Sequence, residues 1–102
     1  MPEEITPEKM EEIKSSEGVW IVDYWADWCA PCKKLAPIFE EVSGEMKYNF
    51  GKVDMEEHQQ IGTQEGVRAL PTLVIYKDGE EVARRPGFVP KDNLVSWINE
   101  NV

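Results

Sequence analysis

The sequence predicts an α/β domain in which a mixed sheet of four to five strands is flanked by about four helices. An apolar, β-branched run over residues 19–25 is typical of a strand buried on both faces. A helical period follows over residues 31–46, and a second strand pattern follows over residues 48–54. An Asp-Gly turn at 78–79 joins two later strand patterns, which indicates a hairpin. The order β-α-β, α, β-β, α therefore combines parallel and antiparallel strands in one sheet.

The first helix has a recognisable start. Thr6 suits the N-cap position, and Pro7 suits the first helical position, where no backbone N–H is needed. Ile5 and Met10 are spaced for a hydrophobic staple around this cap. Upstream, residues 2–4 (Pro-Glu-Glu) offer little for a strand, so we leave open whether a first strand forms.

The second helix is predicted from about Pro31 to Met46. Its apolar positions recur at helical spacing and are Leu35, Ile38, Phe39, Val42 and Met46. Pro37 lies inside this helix and removes one backbone hydrogen bond, so we expect a kink there.

The rest of the chain alternates shorter elements. A weaker helix is predicted over Glu57–Glu65, and the hairpin strands over Thr72–Tyr76 and Glu81–Arg85. A last helix should begin near Pro90. Its apolar positions are Leu94, Trp97 and Ile98.

Composition limits the function classes. The 102 residues are expected to form one domain over residues 1–102, with a net charge of −9. This charge argues against binding to nucleic acid or to anionic membrane surfaces. No apolar run reaches the roughly 18 to 20 residues of a membrane helix, and the acidic N-terminus does not resemble a secretory signal. We therefore expect a cytoplasmic protein. We also expect a monomer.

The only two cysteines, Cys29 and Cys32, stand two residues apart and have three possible uses. As a structural disulfide, so small a loop would contribute only about 2 kcal/mol, and permanent disulfides are rare in a reducing cytoplasm. As half of a zinc site, the pair would need two more ligands. The single histidine, His58, is expected on a solvated helix surface, so we predict no metal site.

A redox function fits these cysteines better. Cys29 is predicted at a strand-to-helix turn, where unpaired N–H groups and the helix dipole favour a thiolate and lower its pKa. Cys32 follows one helical turn later, close enough to attack a mixed disulfide on Cys29. Pro31 stiffens the intervening loop.

The segment 22–33 (VDYWADWCAPCK) closely resembles the active-site signature of the thioredoxin family. The resemblance continues in the same order through Ala36-Pro37, Lys52-Val53-Asp54, Val67-Arg68-Ala69-Leu70-Pro71-Thr72, Lys77-Asp78-Gly79 and Gly87. It implies the thioredoxin fold and a protein-disulfide reductase with a redox-active disulfide between Cys29 and Cys32. It also implies no bound cofactor, disulfide-containing target proteins as partners, and recycling by a thioredoxin reductase that is either flavin- and NADPH-dependent or ferredoxin-linked.

The resemblance implies catalytic roles for two charged residues. Asp23 could be an ordinary acid near a strand end that faces water. By resemblance it is instead a buried carboxylate with a raised pKa that exchanges a proton with Cys32. Lys52 resembles the family's buried lysine, which moderates the pKa of that carboxylate, although a solvated lysine on a strand remains an alternative.

The remaining expected site residues bind the substrate. The resemblance implies a cis peptide bond at Leu70-Pro71, with Pro71 against the cysteines and the Leu70 backbone pairing with an extended substrate segment. An apolar patch beside them should dock partners. The expected substrate-binding residues are Trp28, Ala30, Pro31, Leu70, Pro71, Gly87 and Phe88.

Ala30 is the one notable departure from the family pattern, since most members have Gly-Pro between the cysteines. The retained Pro31 favours a reductase, because oxidases and isomerases of this fold usually carry a histidine at that position. Two alternatives stay open from the sequence. One is an oxidase or isomerase of the same fold, and the other is a binding module that uses the apolar patch without redox chemistry.

Overall fold

The computed structural model describes residues 1–102 and contains one five-stranded sheet with four helices. In chain order the elements are β1 (Glu3–Glu4), α1 (Pro7–Lys14), β2 (Val19–Trp25), α2 (Ala30–Glu45), β3 (Asn49–Asp54), α3 (Gln59–Gln64), β4 (Thr72–Lys77), β5 (Glu80–Pro86) and α4 (Lys91–Asn101). The strand order is β1-β3-β2-β4-β5. The first three strands of this order are parallel, and β4 and β5 are each antiparallel to the strand before them. The predicted mixed sheet is confirmed.

β2 lies at the centre of the sheet and is covered on both faces. Trp20, Val22 and Tyr24 belong to the apolar cluster that α1 and α3 cover. Ile21 belongs to the opposite cluster, which α2 and α4 cover. Since side chains alternate along a strand, Asp23 lies on the same face as Ile21. The single charge of β2 is therefore placed beneath α2.

α1 begins as predicted. The Thr6 side chain accepts a hydrogen bond from the backbone N–H of Lys9 at 3.2 Å, and Pro7 is the first helical residue. Ile5 and Met10 are both buried in the same cluster. The cap therefore fixes the start of α1, and the buried side chains on either side of it hold the helix against the sheet.

The N-terminal residues do form a strand, which the sequence pattern did not indicate. Glu3 and Glu4 pair with Gly51 and Lys52 at the edge of the sheet, and the Ile5 N–H donates to the Lys52 carbonyl at 2.9 Å. Both glutamates are exposed. The pairing uses the backbone alone, so no apolar alternation reveals it.

α3 is shorter than predicted, and the expectation for His58 is wrong. The helix covers Gln59–Gln64, and His58 precedes it as the N-cap residue. Its backbone N–H donates to the Asp54 carbonyl at 2.8 Å, and only 13% of its side chain is exposed. The turn after β3 carries the histidine inward instead of onto a helix surface.

The remaining elements follow the predicted pattern. Asp78 and Gly79 both have positive φ angles, 52° and 85°, as a two-residue type I′ hairpin turn requires. α2 continues through Pro37 and covers 16 residues. None of the four helices combines the length and the apolar character of a membrane span.

Candidate functional site

The two cysteines lie at the N-terminus of α2 and form a disulfide bond. Cys29 is the N-cap residue, and its sulfur accepts a hydrogen bond from the backbone N–H of Cys32 at 3.2 Å. A tight turn after β2 places it there, since the Cys29 N–H donates to the Ala26 carbonyl at 3.2 Å. The disulfide is thus positioned between the end of the central strand β2 and the start of α2.

Both sulfur-bearing residues are nearly covered. Cys29 is 5% exposed and Cys32 is 2% exposed, so the difference between them in this oxidised form is small. They form a small cluster with Ala26, against which Trp25 and Leu70 pack. The redox interpretation makes Cys29 the exposed thiol of the pair, and this structure does not show that exposure. Only a narrow part of its surface is accessible, because these neighbours close over it.

Asp23 is fully buried, and neither carboxylate oxygen has a hydrogen-bond partner in the protein. Burial raises the pKa of Asp23 from 3.8 to about 7, and the positive charge of Lys52 opposes part of this rise. The surface alternative for Asp23 is therefore wrong. A carboxyl with this pKa exchanges a proton readily at neutral pH.

Lys52 pairs with Asp23 across the ladder between β2 and β3. The lysine is half-buried, not fully buried as the resemblance implied. Its Nζ lies 4.7 Å from the centre of the Trp25 ring, and together with Trp25 and Asp54 it lines a surface cavity of about 200 Å³. The ammonium group thus has access to solvent while its charge still acts on Asp23.

The peptide bond between Leu70 and Pro71 is cis, as the resemblance implied. The Pro71 carbonyl accepts a hydrogen bond from the Gly87 N–H at 2.7 Å, whereas the Leu70 N–H and carbonyl have no partner in the protein. Leu70 itself packs against the cysteine cluster. The N–H and the carbonyl of a residue beside the disulfide are therefore both unpaired.

The expected docking residues differ in exposure. Trp28 is 72% exposed, and Ala30 and Pro31 are also exposed. Leu70, Gly87 and Phe88 are half-buried, and Pro71 is buried. Phe88 packs on the cluster under α2 and α4, and the Lys34 Nζ lies 4.6 Å from its ring centre. Trp28, which precedes Cys29 in the chain, is therefore a large apolar side chain that is mostly exposed.

One group of side chains has the proximity that a metal ion requires, and it includes neither cysteine. Ligand atoms of Glu4, Glu57 and His58 lie within 4.8 Å of one another, and both glutamates are exposed. The zinc alternative for the cysteines is not supported by any further ligand near them.

One contact of the segment between β2 and Cys29 was not predicted from the sequence. A Glu56 side-chain oxygen accepts a hydrogen bond from the Asp27 N–H at 3.3 Å. Asp27 follows β2 and Glu56 follows β3, and these are neighbouring parallel strands. Their carboxyl ends meet at one edge, so the two predicted strands could have indicated this proximity.

Comparisons with known proteins agree with this geometry. The family model described as Thioredoxin matches residues 3–100. A thioredoxin of Bacillus subtilis (strain 168) is 43% identical over 91 residues, which cover 87% of this chain and 88% of that protein. A thioredoxin of Rickettsia bellii (strain RML369-C) is 37% identical over 94 residues, or 90% of each chain.

Solved structures give the same result for the fold. The thioredoxin of Malassezia sympodialis superposes with a TM-score of 0.88 at 32% identity and covers 99% of this chain and 90% of its own. A mutant thioredoxin from Halobacterium salinarum NRC-1 superposes with a TM-score of 0.89 at 32% identity, over 98% and 89% of the two chains. Together with the disulfide at the start of α2, these matches show that the chain belongs to the thioredoxin family of protein-disulfide reductases.

Proposed function

We propose that Cys29 is the attacking thiol and Cys32 the resolving thiol in the reduction of disulfides of other proteins. The observation that carries this assignment is the position of Cys29 as the N-cap of α2, where its sulfur accepts the Cys32 N–H. A helix N-terminus stabilises a thiolate, and a thiolate is the nucleophile in disulfide exchange.

The exchange proceeds in two steps. The Cys29 thiolate attacks one sulfur of the target disulfide and forms a mixed disulfide, while the other target sulfur leaves as a thiolate. The Cys32 thiolate then attacks the Cys29 sulfur, which restores the intramolecular disulfide and releases the second target thiolate. Two electrons pass from the dithiol to the target.

Asp23 accepts the proton of Cys32 in the second step. Its raised pKa of about 7 and its position on the face of β2 beneath α2 support this role. Lys52 keeps part of the Asp23 population ionised, because its positive charge favours the carboxylate.

The target segment lies in extended form along the Leu70-Pro71 peptide. The unpaired N–H and carbonyl of Leu70 support pairing of this kind, since an extended segment can form backbone hydrogen bonds with free groups of this type. Trp28, Ala30, Pro31, Gly87 and Phe88 surround the segment.

The protein works with partners that regenerate it. A thioredoxin reductase, either flavin- and NADPH-dependent or ferredoxin-linked, returns the disulfide to the dithiol. The chain acts as a monomer in the cytoplasm, within a single domain over residues 1–102. It has no bound cofactor or metal of its own.

The assignment is tested by trapping. The Cys32→Ser variant should form a covalent adduct with insulin that dithiothreitol releases, and mass spectrometry should place the bond at Cys29. The Cys29→Ser variant is the matched control and should form no stable adduct. Equal adduct formation by both variants would contradict the assignment of Cys29 as the attacking thiol. Insulin reduction by a double serine variant would exclude redox chemistry at this pair.

A further inference from the structure

A chain of buried hydrogen bonds joins the centre of the sheet to the end of α3. The hydroxyl oxygens of Tyr24 on β2 and Tyr76 on β4 lie 2.7 Å apart. The Tyr76 hydroxyl donates to a carboxylate oxygen of Glu65 at 3.0 Å. The same carboxylate accepts two hydrogen bonds from the Lys14 Nζ, at 3.1 and 3.0 Å. All three members from Tyr24 to Glu65 are buried.

The protonation states decide which group donates in each of these hydrogen bonds. Burial acts against the charge of Glu65, but hydrogen bonds from Lys14, Tyr76 and Gln64 lower its pKa, so Glu65 is a carboxylate at neutral pH. Burial raises the pKa of Tyr24 and of Tyr76, so both remain hydroxyls. The Tyr76 proton points to Glu65, and Tyr24 therefore donates to Tyr76.

A second set of hydrogen bonds holds the backbone of Glu65 and Gly66 at the end of α3. The Arg84 guanidinium on β5 donates to the Glu65 carbonyl at 2.6 Å and to the Gly66 carbonyl at 2.9 Å. Glu81 fixes the guanidinium through two further bonds, at 2.9 and 2.8 Å. Gly66 has a φ of +70°, a conformation that favours glycine, and it begins the turn toward β4.

The segment that follows, residues 67–71, is held at its ends and has unpaired backbone N–H groups in its middle. The Val67 N–H bonds to the Gly62 carbonyl at 2.8 Å, and the Pro71 carbonyl accepts the Gly87 N–H. Between these ends, the Ala69 carbonyl accepts a hydrogen bond from the Thr72 hydroxyl at 2.5 Å. The backbone N–H groups of Arg68, Ala69 and Leu70 have no protein partner. The position of the Leu70 peptide therefore depends on two anchors, the end of α3 at Glu65 and Gly66 and the start of β4 at Thr72.

We propose that Tyr24, Tyr76 and Glu65 are positioning residues for protein substrates, because their hydrogen bonds fix the end of α3 and thereby the Leu70-Pro71 peptide. The proposal rests on the proposed pairing of the target segment with Leu70. It adds to the disulfide chemistry of the family a set of positioning hydrogen bonds on the other face of the sheet, which α1 and α3 cover. None of the three residues touches the reacting sulfurs.

Hydrogen bonds suit this task better than apolar packing. Buried polar groups must find partners with correct geometry, so they restrict an element to one arrangement more strongly than apolar contacts do. Apolar side chains of similar volume would cover the same area but would permit small shifts of α3. A shift there would move the backbone of Leu70, whereas the backbones of Cys29 and Cys32 stay held between the end of β2 and the start of α2.

The test compares a protein and a small disulfide as substrates. Tyr76→Phe and Tyr24→Phe each remove one hydroxyl, and rates are measured with insulin and with 5,5′-dithiobis(2-nitrobenzoate). Tyr76→Phe should raise the KM for insulin by about fivefold, with little change in kcat. This is the change in binding that corresponds to the net free energy of one hydrogen bond. Tyr24→Phe, which keeps the bond to Glu65, should have a smaller effect of the same kind. The small disulfide needs no Leu70 pairing, so its rate should stay within about twofold of the parent.

The control is Tyr48→Phe, which removes an exposed hydroxyl outside this chain of bonds. A merely structural role would lower Tm and leave the ratio of the two substrates unchanged, and that result in Tyr24→Phe and Tyr76→Phe would overturn the proposal. If Tyr76→Phe does not fold, Tyr24→Phe alone decides. Both cysteines are intact in these variants, so failure here is distinct from failure of the Cys29 and Cys32 assignment.

Discussion

Asp23 and Lys52 are direct neighbours across the β2–β3 ladder, and the lysine charge acts on a carboxyl whose pKa burial raises to about 7. The two oxygens of Asp23 have no hydrogen bond to offset the loss of water. Ionisation of Asp23 therefore works against the fold while it makes the group useful as a proton acceptor.

Asp23→Asn should stabilise the oxidised protein in a pH-dependent manner. In the folded chain Asp23 holds its proton up to about pH 7, whereas in the unfolded chain it releases the proton near its ordinary value of 3.8. The folded state thus binds more protons between these values, so the free energy of unfolding falls as the pH rises from about 4 to about 7. Removing the carboxyl should add up to about 4 kcal/mol at pH 8 and much less at pH 4.

Urea unfolding at pH 4, 6 and 8 measures this effect. Glu40→Gln is the matched control, since Glu40 is an exposed carboxylate on α2, and its change should be small at every pH. A gain for Asp23→Asn that is equal at pH 4 and pH 8 would mean that Asp23 ionises normally in the folded state.

Asp23→Asn and Asp23→Ala should both slow the reduction of insulin at pH 7. Neither side chain accepts the proton of Cys32, so fewer molecules carry the resolving thiolate. General-base residues typically contribute at least about 100-fold, although part of this loss can be recovered from solvent at higher pH. The measurement is the rate at which the mixed disulfide resolves, followed from pH 6 to 9. An unchanged rate in both variants would exclude a proton-transfer role.

Lys52→Met should raise the pKa of Asp23 above about 7, because the substitution removes the positive charge that favours the carboxylate. The pH dependence of the resolving step should move to higher pH by the same amount. Carboxyl-carbon NMR of Asp23 in the oxidised protein measures the shift directly. Lys47→Met removes an exposed lysine from the loop before β3 and should leave the titration unchanged. A pKa that falls in Lys52→Met would contradict the assigned sign.

Trp28→Ala should weaken protein substrates without destabilising the fold. Trp28 is 72% exposed, so its removal should change the free energy of unfolding by no more than about 0.5 kcal/mol. Exposed tryptophans at the centre of an interface can each contribute about 2 kcal/mol to binding, so the KM for insulin should rise by about tenfold or more. Tyr48→Ala removes another exposed aromatic side chain, just before β3, and should not alter that KM. Unchanged KM in Trp28→Ala would remove this residue from the docking surface.

The strongly periodic parts of the chain were predicted closely. The strand predicted over residues 19–25 has the same bounds as β2, because a strand covered on both faces is apolar at nearly every position. The helix predicted from Pro31 begins at Ala30, because the cysteine N-cap and the proline mark its start. The cis bond before Pro71 came from the family resemblance, since a sequence alone does not distinguish it from a trans turn.

Contacts between distant residues were not predictable. The Tyr24 and Tyr76 hydroxyls meet across 52 residues of sequence, and in an apolar run a tyrosine resembles ordinary core. The exposure of Cys29 depends on Leu70, which packs against it from another loop. Periodicity describes one element at a time, so it carries no information on which polar groups meet between elements.

Gly51→Ala should destabilise the protein through the short strand β1. Gly51 pairs with Glu3, and an added Cβ would collide with the side chain of Ile5 and lie 3.3 Å from the Glu3 carbonyl oxygen. Ile5 is fully buried, so it can yield only by moving the edge strand or the core beneath it. Overpacking of this kind costs about 1–3 kcal/mol.

Gly44→Ala gives the matched control for this prediction, because a Cβ at Gly44 in α2 meets no atom within 4 Å. There the same substitution should stabilise the helix by up to about 1 kcal/mol. The two variants should therefore shift the free energy of urea unfolding in opposite directions. Hydrogen exchange at the Ile5 N–H, which bonds to the Lys52 carbonyl at 2.9 Å, should accelerate only in Gly51→Ala. If Gly51→Ala were as stable as Gly44→Ala and its Ile5 amide equally protected, β1 would not be packed against β3 in solution.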